Sequence, residues 1–582
     1  MTTYASSIAM TLTGYTIMAA AYYGWGELVS RILRLGLKGG ERVFSQLWLG
    51  WCGALLLLQI INFIVPITAL VSIAVYSTGI LLFLSLSVRQ IDILRHARST
   101  GVIVYWILLA LFAIWTASWS TLSPTNYDSG LYHFNSVRWI NEYPIVTGIG
   151  NLHRRLAFNQ SFFTYAASLN LKPFFTHGHN LANSYLVLLL FAESLFTVVH
   201  SGGGKRSEKK DIGVVTFLSF CFIPVAIVIS VTNSLSSPTP DIATSVLQLV
   251  LFLHFARHME ERNYRDSYIS RVAVILVLAA TAITVKMSIM MYAATIVLLA
   301  AILLWHGRKG DHAVFLRQAA VLLAAPALIG IVWMAKSYLQ SGYPLFPATF
   351  GGIDFDWSVP RALAIEETRW IYSWARLPGL NPDRVLGSWN WLGPWMTNLF
   401  AHTETIVYPL SVSALAVAGW ILLIVIRPMR FTNKVDKMLF LLPVPMLAGL
   451  AFWFFTAPDP RFAGVIFFLL PPAALYPLLK FIAPGPARNG GLFTVMVFTV
   501  IAYGAILLWI VGNAPIIVKT PQQGYGPVPV IPMQVQTTFS GLRIWVPVHE
   551  DQCWDSELPS TPYFDKYLHL RGSTVRSGFS VK

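Results

Sequence analysis

Apolar runs long enough to cross a bilayer recur along the whole 582-residue chain, and no other feature restricts its fold so strongly. Inside hydrocarbon every backbone N–H and C=O must be satisfied within the spanning structure itself, which leaves helices or a closed barrel. The runs here are continuous rather than alternating, so they are helices, and a β-barrel is excluded. Composition agrees. The chain is 55% hydrophobic and only 12% charged, where a soluble domain carries about 25% charge; mean hydropathy is +0.60.

The runs place helices at about 8–29, 44–63, 66–88, 103–120, 182–200, 213–232, 241–256, 272–287, 289–305, 319–336, 404–426, 438–456, 463–482 and 491–512. The stretch 272–305 is too long for one span at ~1.5 Å per residue, and Lys286 in its middle fits a turn between two helices. The N-terminus lacks a charged segment followed by a cleavage site and is read as running into the first span.

The net charge of +15 would suit nucleic acid, but its distribution argues against that partner. Basic residues sit in short clusters between apolar runs, such as Arg31 to Arg42, Arg89 to Arg98, Lys205 to Lys210, Arg257 to Arg271 and Arg427 to Lys437. About fourteen spans put all such clusters on one face, the pattern of cytoplasmic loops. The other face receives the insert 121–181, the turn before Asp241, the Lys286 turn, the loop 337–403, the turn 457–462 and the tail. Three cysteines, Cys52, Cys221 and Cys553, form no close pair, so neither a zinc site nor an internal disulfide is indicated.

The insert is the longest polar interruption. Leu131, Phe134, Val137 and Ile140 recur every three residues, and Phe162, Ala166 and Leu169 repeat the pattern. Both stretches are expected as amphipathic helices lying in the membrane interface. Asp128 opens the first of them. A carboxylate there either caps the helix or, flanked by Tyr127, Tyr132 and His133, serves as a general base toward a hydroxyl.

Two more groups stand on the same face. The turn Pro458-Asp459-Pro460-Arg461-Phe462 presents an arginine suited to bidentate phosphate recognition, unless Asp459 simply pairs with it. Lys286 and Lys336 either reach for headgroups or join Arg461 in a positive pocket for a lipid-linked phosphate. Asp241 reads as a helix N-cap. The Trp-rich loop after Ser341-Gly342-Tyr343-Pro344 reads as an interfacial belt, with sugar stacking or a lipid groove as the alternative. Thr538–Val548 reads as a strand in a small tail domain. Gly202–Ser207 lacks the first glycine of a phosphate-binding loop, and His177 with His179 lacks a third metal ligand.

An Asp-led polar loop after a span, a later SGYPLFP segment and a PDPRF turn together resemble the GT-C superfamily of integral membrane glycosyltransferases. The resemblance implies an all-α polytopic fold of about 14 transmembrane helices, amphipathic periplasmic loop helices and a small β-containing C-terminal periplasmic segment. The apolar runs divide the chain into N-terminal helices 1–120, a first loop 121–181, a transmembrane core 182–336, a second loop 337–403, C-terminal helices 404–512 and a tail 513–582. The resemblance further implies a bacterial inner-membrane enzyme that uses a polyprenyl-phosphate-sugar donor at the periplasmic face. The acceptor would be a cell-envelope glycan or glycolipid, and no cofactor or metal is called for. Asp128 takes the base role in this scheme. Tyr132 and His133 shape the pocket, and Arg461 with Lys286 or Lys336 holds the donor phosphate. Tyr127, Arg138, Tyr343 and Asp459 complete the expected substrate contacts. The usual member places its Asp after the first span, often beside a second acid; here three more spans precede it and Ser129 follows. A transporter or flippase for lipid-linked saccharides is the rival class, and a pyrophosphate-dependent polymerase or ligase the rival chemistry.

Overall fold

The computed structural model describes residues 3–86, 100–201, 213–231, 235–260, 266–307, 312–402, 406–426, 438–482 and 524–582. The expected helix 491–512 lies outside them, as do the basic clusters Arg89–Arg98, Lys205–Lys210 and Arg427–Lys437.

Every other expected span is a helix. In order they are α1 (Tyr4–Ile32), α2 (Gly39–Asn62), α3 (Ala69–Leu86) and α4 (Thr100–Ser120). The insert holds α5 (Phe134–Glu142), α6 (Ile149–Leu152) and α7 (Phe162–Ser168). Then come α8 (Gly178–Ser201), α9 (Val214–Ser230), α10 (Pro240–Glu260), α11 (Asp266–Val285), α12 (Met290–Gly307) and α13 (His312–Ser341). The second loop carries α14 (Arg361–Arg376), α15 (Pro382–Val385) and α16 (Leu392–Ala401). Last are α17 (Tyr408–Ile426), α18 (Val444–Thr456), α19 (Pro460–Ala463) and α20 (Ile466–Ile482).

Among the described residues nine helical stretches are long and apolar enough to cross a membrane, which makes this a multi-pass membrane protein. Thirteen of the fourteen expected spans fall among the described residues, and nine of the helices there are clear spans. Val214–Ser230, Tyr408–Leu422 and Ile466–Leu478 are apolar but shorter. The helix α1 has the length but not the apolarity, because it buries Ser7, Thr11 and Glu27 against its neighbours. It compensates by close packing. A Cβ on Gly50 of α2 would lie 1.6 Å from the Tyr22 carbonyl oxygen, and one on Gly24 1.9 Å from that of Gly79 in α3. Small residues let backbones touch where lipid supplies no hydrophobic drive. The break at Lys286 is as the run length demands: its backbone is extended between α11 and a short 3-10 turn, Met287–Ile289.

The bundle is organised around α10, whose apolar stretch is 94% buried, while that of α3 is only 22% buried and presents Leu70, Leu81 and Leu84 outward. Its two ends differ in chemistry. At one, Arg31 and Arg42 meet Glu27, Arg257 meets Glu193, and Arg271 meets Glu41. At the other, the insert, the Lys286 turn, the 337–402 segment, the 457–463 turn and the tail converge. Ile67 N donates to Ile140 O (2.8 Å), Ser161 N to Thr284 O (2.9 Å) and Gly148 N to Leu339 O (2.7 Å).

Two expectations need correction here. The insert helices do not float on a surface. Leu131, Phe134, Val137 and Ile140 are all buried within the protein, and so are Asn135 and Ser136 on the other faces. The tail covers them. Asn135 Nδ2 donates to Ser560 Oγ (2.6 Å), and Gly130 O accepts from the backbone N–H of Cys553 (2.9 Å) and Trp554 (2.8 Å). The expected strand Thr538–Val548 is shorter. β1 (Met533–Thr537) pairs antiparallel with β2 (Arg543–Pro547), and Thr538–Leu542 is the turn between them, with Gly541 at φ 84°.

Candidate functional site

At the insert end a single network of ion pairs joins three parts of the chain. Asp128 ends the link from α4 and precedes the π-helical turn Ser129–His133. Its side chain makes no capping bond; Asn126 Oδ1 accepts from Ser129 N instead (3.1 Å). With that duty taken by Asn126, the Asp128 carboxylate turns to two guanidinium groups. Oδ2 accepts from Arg461 Nη1 at 3.0 Å, and Oδ1 lies 3.7 Å from Arg155 Nη1. Capping, one of the two sequence readings, is therefore not what this carboxylate does.

Arg461 is set in place by its own turn. Two prolines and Asp459 start α19, with Asp459 Oδ1 accepting from Arg461 N (3.0 Å) and Oδ2 lying 3.3 Å from Arg461 Nε. Three outside groups hold this turn. Trp395 Nε1 donates to Pro458 O (2.7 Å), and Arg376 Nη1 to Thr456 O (2.8 Å). Gln248 of α10 bridges the far side, donating to Ala463 O (3.1 Å) and accepting from Val465 N (2.8 Å). The tryptophans thus do more than form a belt: Trp391 and Trp395 are buried and brace the arginine turn, while Trp374 and Trp389 stay exposed.

The second arginine comes from the insert itself. Glu367 of α14 is buried and accepts from Arg154 Nε (3.0 Å) and Arg155 Nε (3.4 Å), which aims Arg155 at Asp128. Beside these, Lys286 pairs with Asp241. Asp241 is therefore not the N-cap of α10; Thr239 Oγ1 takes the Asp241 N–H at 3.4 Å. The Phe462 ring carries Lys286 at 4.6 Å and Arg461 at 4.9 Å, which draws the two cations together.

The network is charge-balanced. Arg154, Arg155, Lys286 and Arg461 stand against Asp128, Asp241, Glu367 and Asp459. The expected positive pocket is absent in this state, because each cation already has a carboxylate. Burial works against the charge on Arg461, but Asp128, Asp459 and Asp241 outweigh it and hold the guanidinium above its ordinary range. Beneath the network, burial pushes the Tyr132 hydroxyl well up and the His133 imidazole down to about 4, so both are neutral at pH 7. His133 Nδ1 lies 3.0 Å from Ser129 Oγ.

Six of the expected site residues meet here: Asp128, Tyr132, His133, Lys286, Asp459 and Arg461. The others lie elsewhere. Tyr127 is turned to the tail and donates to Asp551. Lys336 is buried against Thr164 Oγ1 (3.3 Å), with no carboxylate beside it among the described residues. Tyr343 donates to Val359 O (2.9 Å) in a separate cluster with Phe346. Arg138 bonds Glu142 Oε1 (2.7 Å) and Asp555 O (2.7 Å). Sequence reasoning passed over Arg155, Glu367 and Asp241 as members. The polar run His153-Arg154-Arg155 in an otherwise apolar chain was a signal for the first; Glu367 carried none.

A family described as a domain of unknown function, DUF8201, matches residues 9–468. No curated protein and no solved structure matches the chain.

Proposed function

The chain belongs to the DUF8201 family, and from the site just described we propose that it is a membrane glycosyltransferase of GT-C type. It moves a sugar from a polyprenyl-phosphate-linked donor to a cell-envelope glycan or glycolipid acceptor, at the periplasmic face of a bacterial inner membrane. The observation that carries this reading is Asp128 held between Arg461 and Arg155 at the insert end of the bundle.

The ion pairs explain how such a site would work. A guanidinium on a carboxylate oxygen occupies one of that oxygen's two lone pairs and competes there with an incoming hydroxyl. Arg461 keeps 38% of its side-chain exposure and Asp128 17%, so solvent reaches their pair and screens it in part. A donor phosphate offers charge-assisted bonds of ~1.5–3 kcal/mol each, enough to draw Arg461 away and free Asp128 Oδ2. The acceptor hydroxyl then gives its proton to Oδ2 while its oxygen bonds to the anomeric carbon. The bond from that carbon to the phosphate oxygen breaks, its electron pair leaves with polyprenyl phosphate, and configuration inverts. Arg461 and Lys286 stabilise the departing charge.

Full-length protein in lipid nanodiscs, given a lipid-linked sugar donor and cell-envelope acceptors, should form glycosylated product. Asp128→Asn should cut it by ~10²–10⁴; full transfer by that variant would sink the mechanism. Translocation of the lipid-linked sugar in proteoliposomes, with no covalent transfer, would favour a flippase instead.

A further inference from the structure

One face of α5 belongs to no part of the Asp128 network. Phe134, Val137, Arg138, Asn141 and Glu142 line a partly open cavity of about 380 Å³, whose other walls are the start of α3, the α7–α8 link and the tail. That volume lies within the ~300–1,000 Å³ of small-molecule sites.

The walls define what would fit. Their charges cancel within the cavity: Arg138 pairs with Glu142 (2.7 Å) and approaches Asp555 (3.8 Å), while Lys172 lies 3.7 Å from Asp555. Nothing is left over to attract a phosphate or a cation. What is left over is neutral. His179, only 6% exposed, and Asn170 both line the cavity, and each keeps a polar atom, Nε2 and Oδ1, that is buried in the wall and unpartnered among the described residues. Leaving a buried polar atom without a partner is costly, so a ligand that supplies hydrogen bonds is favoured. The apolar part of the lining is Phe134, Val137 and Ala166. The Phe134 ring stands edge-on to His179 at 5.0 Å.

We propose that this cavity binds a neutral saccharide unit, at a site separate from Asp128. A sugar ring offers both things the walls ask for: hydroxyls that donate and accept toward Asn170 and His179, and an apolar face to lie on Phe134. A free glycan and a glycolipid headgroup present the same hydroxyls. The inference does not rest on the transfer chemistry proposed above, since the two sites share no residue.

The test is saturation-transfer NMR on the full chain in nanodiscs free of sugar detergents. The probes are methyl glucoside, methyl galactoside, methyl mannoside and methyl N-acetylglucosaminide, with monoglucosyl diacylglycerol in the nanodisc as a separate arm. At least one methyl glycoside should show transfer to the native protein and equally to Asp128→Asn. Competition by the glycolipid would identify a headgroup as the source, and its failure to compete a free glycan. His179→Leu should weaken binding at least tenfold. Ala69→Trp, on the cavity wall at the start of α3, should do the same without touching a polar partner, which covers the case that His179→Leu does not fold. Silence from all four glycosides, or binding that survives both cavity variants, or binding lost in Asp128→Asn, would each overturn the proposal.

Discussion

Residues 128–142 form one continuous helical segment with two differently furnished neighbourhoods. At its start, Asp128 lies in a network where all eight charges are paired and little is left unsatisfied. Further along, α5 borders a cavity where charges are few and mutually cancelled, but buried neutral atoms lack partners. The contrast separates two ways a site can wait for a ligand. A saturated ionic network can accept a charged ligand only by exchange, one partner for another. An unsaturated neutral cavity accepts a ligand by addition, and gains the bonds it lacked. Exchange suits a phosphate that arrives and leaves with each turnover; addition suits a ligand that is held.

The strongest break of this comparison is a double dissociation. Asp128→Asn should cut transfer by ~10²–10⁴, the range lost with a general base, and leave glycoside binding as it was. His179→Leu should do the reverse to binding and spare the chemical step at saturating acceptor. If both variants lost both functions together, the two regions would be one site and the comparison would fail.

A smaller effect sharpens the exchange idea. Arg461→Lys keeps the charge but not the fork that spans Asp128 and Asp459. Losing one charge-assisted bond of ~1.5–3 kcal/mol predicts a ~10–150-fold fall in transfer, expressed mainly in donor KM. A fall in kcat with donor KM unchanged would place Arg461 away from the donor in the bound state.

The first of these regions was partly legible in the sequence and the second was not, for physical reasons. Asp128, Lys286 and Arg461 stood out because an ionisable group beside a bilayer-length run is costly unless it has a partner. Their partners were harder to see. Glu367 lies 239 residues after Asp128 in order, and only the docking of α14 on the insert brings it to Arg155. Asp241 looked like a cap because it starts a helix, yet Thr239 does that work and frees it for Lys286. Helix positions were read well, since run length reports them directly. The insert helices were misplaced for the same reason. An apolar stripe says that something covers it, and here protein covers it on both sides. The tail, with no periodic pattern, gave no hint that Trp554 and Asp555 close over α5.

That closure brings both regions under one element, and a modest variant tests it. A Cβ on Gly130 would sit 2.6 Å from Trp554 Cε2 and 2.8 Å from Gln552 Cδ. Gly130→Ala should therefore lift the 551–555 segment at a cost of about 1–2 kcal/mol. The readouts are faster proteolysis of the tail and weaker glycoside binding. Transfer should fall less, because Arg155 and Arg461 are fixed by Glu367, Asp459 and Gln248 rather than by the tail.

The smallest expected effect concerns His133, which joins the network's floor to the start of α5. Burial lowers its pKa from the ordinary 6.5 to about 4, so between those values the unfolded chain binds a proton that the folded one does not. Stability is then full above pH 6.5 and declines as pH falls toward 4. Asp128, Asp241, Lys286 and Arg461 all act on this ring, the acids favouring its charge and the cations opposing it. His153, also buried and neutral, titrates in the same direction, so the native slope alone does not isolate His133. His133→Asn keeps a polar group near Ser129 Oγ while removing the titration. Thermal unfolding between pH 7 and 4.5 should show a shallower loss of Tm in the variant than in the native chain. Parallel curves would mean that His133 is protonated in the folded state, with Asp128 and Asp241 outweighing burial, and the floor of the network would then carry a charge that balances differently from the eight above it.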